Sequence, residues 1–132
     1  MTNEFDEIIT KAQSARSAAR QLSKLSTGIK NKALHYIVDA IQENKRQILD
    51  VNSEDINAGR AAGLSDSLLD RLMLNESRLD SISADVRSVA ALPDPIGESF
   101  DVSILPNGLQ VGRRRVPLGV IGAIYESRPN VT

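Results

Sequence analysis

The sequence predicts an α/β chain, and three observations carry that prediction. Up to Leu92 the apolar residues recur at three- and four-residue steps, the pattern of helices with one buried face. After Pro93-Asp94-Pro95 the period falls to two. From Val116 to Tyr125 valine, leucine, isoleucine, alanine and glycine follow with almost no polar interruption, as expected of a parallel strand covered on both faces. Such a strand needs neighbours on both edges and helices above and below. The expectation is therefore the first part of a larger α/β protein, divided into a helical part over 1–95, a β-hairpin over 96–115, and a first sheet strand with its following turn over 116–132.

Composition narrows the function classes. The 132 residues suffice for one domain with a core, and a formal net charge of −1 creates no field that would favour nucleic acid or an anionic membrane. No apolar run reaches the roughly 20 residues that span a bilayer. The N-terminus opens on Thr2, Asn3, Glu4, Asp6 and Glu7, unlike a secretory leader, so a cytoplasmic location is the expectation. Cysteine is absent, which excludes disulfides, thiolate metal sites and a cysteine nucleophile within these residues. A single histidine, His35, makes a Ser-His-Asp arrangement or a histidine-rich metal site hard to assemble.

Taken in order, the first helix is expected from about Asn3 to Ser26. Phe5, Ile8, Ile9, Ala12, Ala15, Ala19, Leu22 and Leu25 form one apolar stripe, Glu4, Asp6 and Glu7 suit the first turn, and Gly28 would supply the stop. A second helix, from about Ile29 to Glu43, would bury Ala33, Leu34, Ile37, Val38 and Ile41. Near Asn44 it breaks or continues into a segment carrying Ile48, Leu49, Val51 and Ile56, which ends in the Gly59 to Gly63 region. A short helix begins at Ser65. The next opens with Asn75 as N-cap and buries Leu79, Ile82, Val86 and Val89 until the two prolines end it.

Beyond the prolines Phe100, Val102 and Ile104 alternate with Asp101 and Ser103, and Leu109 and Val111 with Gln110 and Gly112. Asn107-Gly108 between the two runs is the favoured pair for a two-residue type I′ loop, so a β-hairpin is expected. It precedes a buried strand and cannot easily share that strand's parallel layer. It should project or pair elsewhere, and a projecting ribbon invites another subunit.

Each chemically suggestive residue has a plain alternative. Arg113-Arg114-Arg115 could hold a phosphate or nucleic acid, but strand alternation sends the side chains to opposite faces and no aromatic residues are interleaved, so a solvated or interface role is favoured. His35 sits among Leu34, Tyr36 and Ile37 with no titratable partner evident, which favours a structural role. Gly119 and Gly122 resemble half of a phosphate loop but lie inside the apolar run, and close packing accounts for them better than a dinucleotide fingerprint. Glu126, Ser127, Arg128 and Asn130 are four hydrogen-bonding side chains just past the carboxyl end of the predicted strand, where ligands collect in open α/β sheets. A polar turn would look similar.

The runs Leu69 to Ile82 (LDRLMLNESRLDSI), Val89 to Glu98 (VAALPDPIGE) and Leu105 to Thr132 (LPNGLQVGRRRVPLGVIGAIYESRPNVT) resemble the N-terminal part of the γ-glutamyl phosphate reductase family, also called glutamate-5-semialdehyde dehydrogenases, within the aldehyde dehydrogenase superfamily. The resemblance implies an aldehyde-dehydrogenase-like fold and a proline-biosynthetic oxidoreductase that reduces γ-glutamyl phosphate to glutamate-5-semialdehyde with NADPH, releasing phosphate. It implies that Asn130 is the catalytic side-chain amide that donates to the reacting carbonyl oxygen. Glu126, Ser127 and Arg128 are similar to the segment whose backbone lines the nicotinamide ribose site. No metal is implied. The family's nucleophilic cysteine lies beyond residue 132, so the segment alone is expected to be inactive. The resemblance further implies a homo-oligomer formed through the 99–112 hairpin, and glutamate 5-kinase, which makes the acyl phosphate, is a candidate partner. The alternative from another class is a non-catalytic helical interaction module whose hairpin mediates assembly.

Overall fold

The structure, a computed structural model, describes residues 4–124. Among them, helices α1 (Glu4–Leu22), α2 (Thr27–Glu43), α3 (Lys45–Ala61), α4 (Asp66–Leu72) and α5 (Glu76–Ala90) precede an antiparallel ribbon of β1 (Ser99–Ile104) and β2 (Gln110–Arg114). The chain divides into two compact units. One is built on Gly28–Leu92, the other on Pro93–Gly122 with the residues up to Thr27.

In the helical unit α3 packs on both α4 and α5. Its local signals are plain. Ser65 caps α4 and Asn75 caps α5, where the Asn75 Oδ1 accepts from the Arg78 N–H at 2.8 Å. At the end of α3 the Leu64 N–H reaches the Gly59 carbonyl at 3.0 Å and the Gly63 N–H the Arg60 carbonyl at 3.1 Å, with Gly63 at φ 79°. This paired closure satisfies two of the helix's last carbonyls, and the left-handed residue it needs is a glycine. Leu64 then covers Gly59, where an added Cβ would lie 2.8 Å from the Leu64 Cδ1.

The core of this unit is small. Val38, Leu69, Leu79 and Ala90 are buried, together with the polar Asn52 and Ser83. Burying the three larger apolar side chains stabilises by roughly 1.5–3 kcal/mol each, so polar ties matter beside them. Ser83 is held by the Gln42 amide, whose Nε2 donates to its Oγ at 2.9 Å, and Arg78 anchors the α4–α5 connection through the carbonyl of Met73 at 2.6 Å and the carboxylate of Asp70 at 2.9 Å. Several expected core positions are not core. Ile37 is 49% exposed, Val51 51% and Val89 54%, while the expected Val38 and Leu79 are buried and Asn52 and Ala90 take inward places that apolar content did not single out.

In the other unit α1 ends at Leu22, before the expected Ser26, with its last turn tightened by the Lys24 N–H bonding to the Gln21 carbonyl and the Leu25 N–H to the Leu22 carbonyl. Gly28 is not a stop; it lies in the first turn of α2. The predicted apolar stripe of α1 is exposed, Phe5 at 72% and Ile8 at 64%.

The ribbon forms where alternation placed it, with two differences. The loop is not type I′. The Gly108 N–H bonds to the Leu105 carbonyl at 2.8 Å, Gly108 alone of the pair has positive φ, at 84°, and the Leu105 N–H returns to the Leu109 carbonyl at 2.9 Å. This is a three-residue loop with a left-handed glycine, imposed by Pro106, whose ring fixes a negative φ at the turn's first corner. The Asn107 Oδ1 accepts from the Leu109 N–H at 3.1 Å. Second, the register jumps from Phe100↔Arg113 to Ser103↔Val111, a bulge with Asp101 at φ 52°. Because cross-strand partners share a face, the bulge puts Phe100 with Val111 on one side and Val102 with Ile104 on the other.

The described part of the strand expected over Val116 to Tyr125 stands without the larger sheet that the expectation placed around it. Residues 116–124 pair with no strand among the described residues and are exposed, Leu118 at 88% and Ile121 at 73%. A strand is held by neighbours on its edges, and the ribbon supplies none. Gly119, at φ 92°, also leaves the extended region and interrupts the run.

Candidate functional site

The chain reaches the predicted site through the ribbon. The Asp94 Oδ2 accepts from the Thr27 hydroxyl at 3.1 Å and its Oδ1 from the Ile96 N–H at 3.0 Å, which fixes the proline turn. The Gly97 N–H then bonds to the Arg115 carbonyl at 3.0 Å and the Arg115 N–H to the Glu98 carbonyl at 2.9 Å, so pairing continues beyond the strands. Side chains reinforce it. Arg115 donates to the Glu98 carboxylate at 2.8 Å and stands over the Phe100 ring at 5.2 Å, while Arg113 lies 3.6 Å from the Asp101 carboxylate. Two arginines of the triplet are thus engaged within the ribbon itself.

From Arg115 the apolar run leads towards Glu126, Ser127, Arg128 and Asn130. All four lie outside the described residues. What the structure does show beside this run is a groove of about 550 Å³ with Ala12 and Ala19 of α1 on one side, Pro117 and Val120 on the other, and Arg16 and Arg20 also lining it. Its walls are mostly carbon. The groove-lining Ser23 donates its hydroxyl to the Arg20 carbonyl at 3.0 Å, so it carries no activated nucleophile. Nothing in the sequence pattern joins α1 to Pro117, because helical periodicity reports faces and not which distant segment meets them.

Other chemistry is sparse. No group of three or more histidine, cysteine, aspartate or glutamate side chains among the described residues could hold a metal, and no helix among them is long and apolar enough to cross a membrane. His35 is exposed on α2. Gly119 and Gly122 have open space where a Cβ would stand and are not followed by a helix within the described residues, so they build no phosphate cradle, and the described residues do not by themselves fit a dinucleotide. A cluster of charges in the helical unit is structural. Lys45 lies 3.1 Å from Asp80 and 3.7 Å from Glu76, and with Gln42 it holds the Asp80 carboxyl below the usual carboxylate range.

Comparison with solved structures defines the class first. The chain matches the N-terminal part of an α/β reductase fold, with a TM-score of 0.92 to a crystal structure from Thermotoga maritima and 0.85 to one from Saccharomyces cerevisiae. Both are γ-glutamyl phosphate reductases. The first is 42% identical, covering 96% of this chain and 30% of that one, and the second is 34% identical, covering 91% and 31%. Curated γ-glutamyl phosphate reductases from Vibrio vulnificus and Moorella thermoacetica are 56% and 55% identical over 126 residues, 96% of this chain. No family model matches. The chain is similar to the N-terminal part of the γ-glutamyl phosphate reductases, and it spans about 30% of the length of the curated relatives it matches.

Proposed function

We propose that this chain supplies the N-terminal part of an NADPH-dependent γ-glutamyl phosphate reductase of proline biosynthesis, and that it has no turnover by itself. The observation that carries the reading is the 56% identity to a relative of that name across 126 residues, which include most of the Val116 to Thr132 motif. The reaction replaces the phosphate of an acyl phosphate by hydrogen at the γ-carbonyl, and the nicotinamide supplies the hydride. Negative charge develops on the carbonyl oxygen as groups add to it. An amide N–H aimed at that oxygen stabilises it more in the transition state than in the bound substrate, and this is the role assigned to Asn130. Glu126, Ser127 and Arg128 are assigned to the nicotinamide ribose. The nucleophilic thiol must come from elsewhere, since this chain contains no cysteine.

The ribbon is assigned to subunit assembly. Val102, Ile104, Leu109 and Val111 are exposed on it, apolar surface that a second subunit would cover. Glutamate 5-kinase remains a candidate partner on chemical grounds, because an acyl phosphate hydrolyses in water and direct transfer would protect it.

The test is a chimera in which these 132 residues replace the matched part of the Thermotoga maritima reductase, assayed by NADP-dependent oxidation of glutamate-5-semialdehyde with phosphate. The chimera should turn over and the chain alone should not. A folded chimera without activity, or turnover by the chain alone, would overturn the reading.

A further inference from the structure

We propose that Asn107, at the tip of the ribbon, is a self-modification site: its side chain cyclises onto the Gly108 backbone nitrogen, and water opens the product to isoaspartate, which loosens the loop joining β1 to β2. The only co-reactant is water. The inference concerns the ribbon tip and does not rest on the reaction assigned to Asn130.

Sequence and exposure single out the position. Of the asparagines in this chain only Asn107 precedes a glycine. A side chain on the following residue would crowd the attacking nitrogen, and glycine also reaches backbone angles that other residues avoid. Asn107 and Gly108 are both exposed, and apart from its chain neighbours nothing lies within 4 Å of the place where a Gly108 Cβ would stand. The nitrogen is therefore open to the side chain beside it. Asn52 is the contrast, for it lies inside α3, 6% exposed, with its amide donating to the Leu72 carbonyl and accepting from the Leu74 N–H. Its amide is held at both ends and does not cyclise.

The loop both prepares the reaction and gates it. The Asn107 Oδ1 accepts from the Leu109 N–H at 3.1 Å. The ring which that bond closes contains every atom of the succinimide to be formed, the Cγ, Cβ, Cα and carbonyl carbon of Asn107 and the nitrogen of Gly108, so the electrophilic carbon is folded back towards the nucleophile. The Leu109 N–H also faces the oxygen on which negative charge develops as the nitrogen adds. The gate is the Gly108 N–H, which donates to the Leu105 carbonyl at 2.8 Å and must be freed and deprotonated before its nitrogen attacks. As it adds, the N–Cγ bond forms, the Cγ–Nδ2 bond breaks and ammonia leaves with a proton. Water then opens the ring at either carbonyl. Opening at Cγ gives aspartate, whereas opening at the main-chain carbonyl leaves the backbone running through Cβ and Cγ as isoaspartate. That longer path lies between the groups that close the loop, where Gly108 donates to Leu105 and the Leu105 N–H returns to the Leu109 carbonyl at 2.9 Å, so both bonds weaken.

The experiment is incubation of the 132-residue chain at neutral and mildly alkaline pH, with circular dichroism to follow its fold. Peptide mapping then separates asparagine, aspartate and isoaspartate at each position, and amide hydrogen exchange reads the loop. Both products should accumulate at Asn107 before any other asparagine, about tenfold faster for each unit rise in pH, because the attacking nitrogen must lose its proton. In the isoaspartate form the Leu105 and Gly108 amides should exchange about tenfold faster, the change that matches the net worth of one hydrogen bond. Freshly prepared Asn107→Asp should exchange as the unmodified chain does, since it keeps both the acceptor for Leu109 and the shorter backbone path. That variant separates the added charge from the altered backbone. Persistence of Asn107 while a free peptide of residues 105–110 converts would overturn the proposal. So would modification centred on another asparagine, or isoaspartate at Asn107 with unchanged exchange at Leu105 and Gly108.

Discussion

With 6% of its surface exposed, Asn52 donates from Nδ2 to the Leu72 carbonyl at 3.0 Å and accepts at Oδ1 from the Leu74 N–H at 2.7 Å. Those two backbone groups belong to the turn that carries α4 into the Asn75 cap of α5, and in the interior they need a partner that water cannot supply. Asn52→Ala should lower stability by about 1–3 kcal/mol, read as a lower urea midpoint with an unchanged slope. Asn52→Asp should also destabilise, because it keeps the acceptor for Leu74, loses the donor and sets a carboxylate against the Leu72 carbonyl. A midpoint equal to wild type in both variants would refute this account. Apolar patterning could not have found this residue. It favours Val51, which is 51% exposed, because a hydrophobic count assigns no value to an amide that satisfies two backbone groups at once.

Between elements, the junction of α2 and α3 is tied to α5 by Lys45 and Gln42 on the Asp80 carboxylate, at 3.1 and 3.3 Å. Lys45 and then Gln42 hold the Asp80 carboxyl below its ordinary range. The folded state therefore binds that proton less readily than the unfolded chain does. The stabilisation is complete above the ordinary aspartate range and is lost as pH falls through the lowered value. Asp80→Asn should accordingly lower the urea midpoint slightly at neutral pH, and the two proteins should converge as pH falls below the ordinary aspartate range. A gap that persists or widens in acid would contradict the assignment. What was legible at this scale was local chemistry: the start of a short helix at Ser65, the cap at Asn75, the glycine region that closes α3, the prolines that end the helical part, and the two strands. What was not legible depended on partners. The bulge at Asp101 needs the opposite strand to define it. Pro106 overrode the Asn-Gly preference, and the α1 stripe marks a face without saying what covers it.

At the scale of the whole molecule, the same apolar run that reads as a central strand stands exposed here, because burial belongs to a sheet and not to a sequence. The matched reductases are more than three times longer than the segment this chain covers, at 30% of their length. The described residues build helices, a ribbon and a groove, and the chemistry proposed for Asn130 requires a thiol and a cofactor site brought by other residues. Only in an assembled enzyme can that assignment be examined. In the active chimera, Asn130→Ala should reduce turnover by about 100- to 1000-fold, the usual cost of removing one oxyanion donor. NADP affinity, measured by fluorescence titration, should change little, since a donor to the carbonyl oxygen acts on the reacting substrate and not on the dinucleotide. Asn130→Asp should be no better than alanine, because a carboxylate there would repel the developing negative charge that the amide stabilises. Loss of NADP binding together with turnover would instead place Asn130 in the cofactor site, and near-normal turnover would remove it from the reaction altogether.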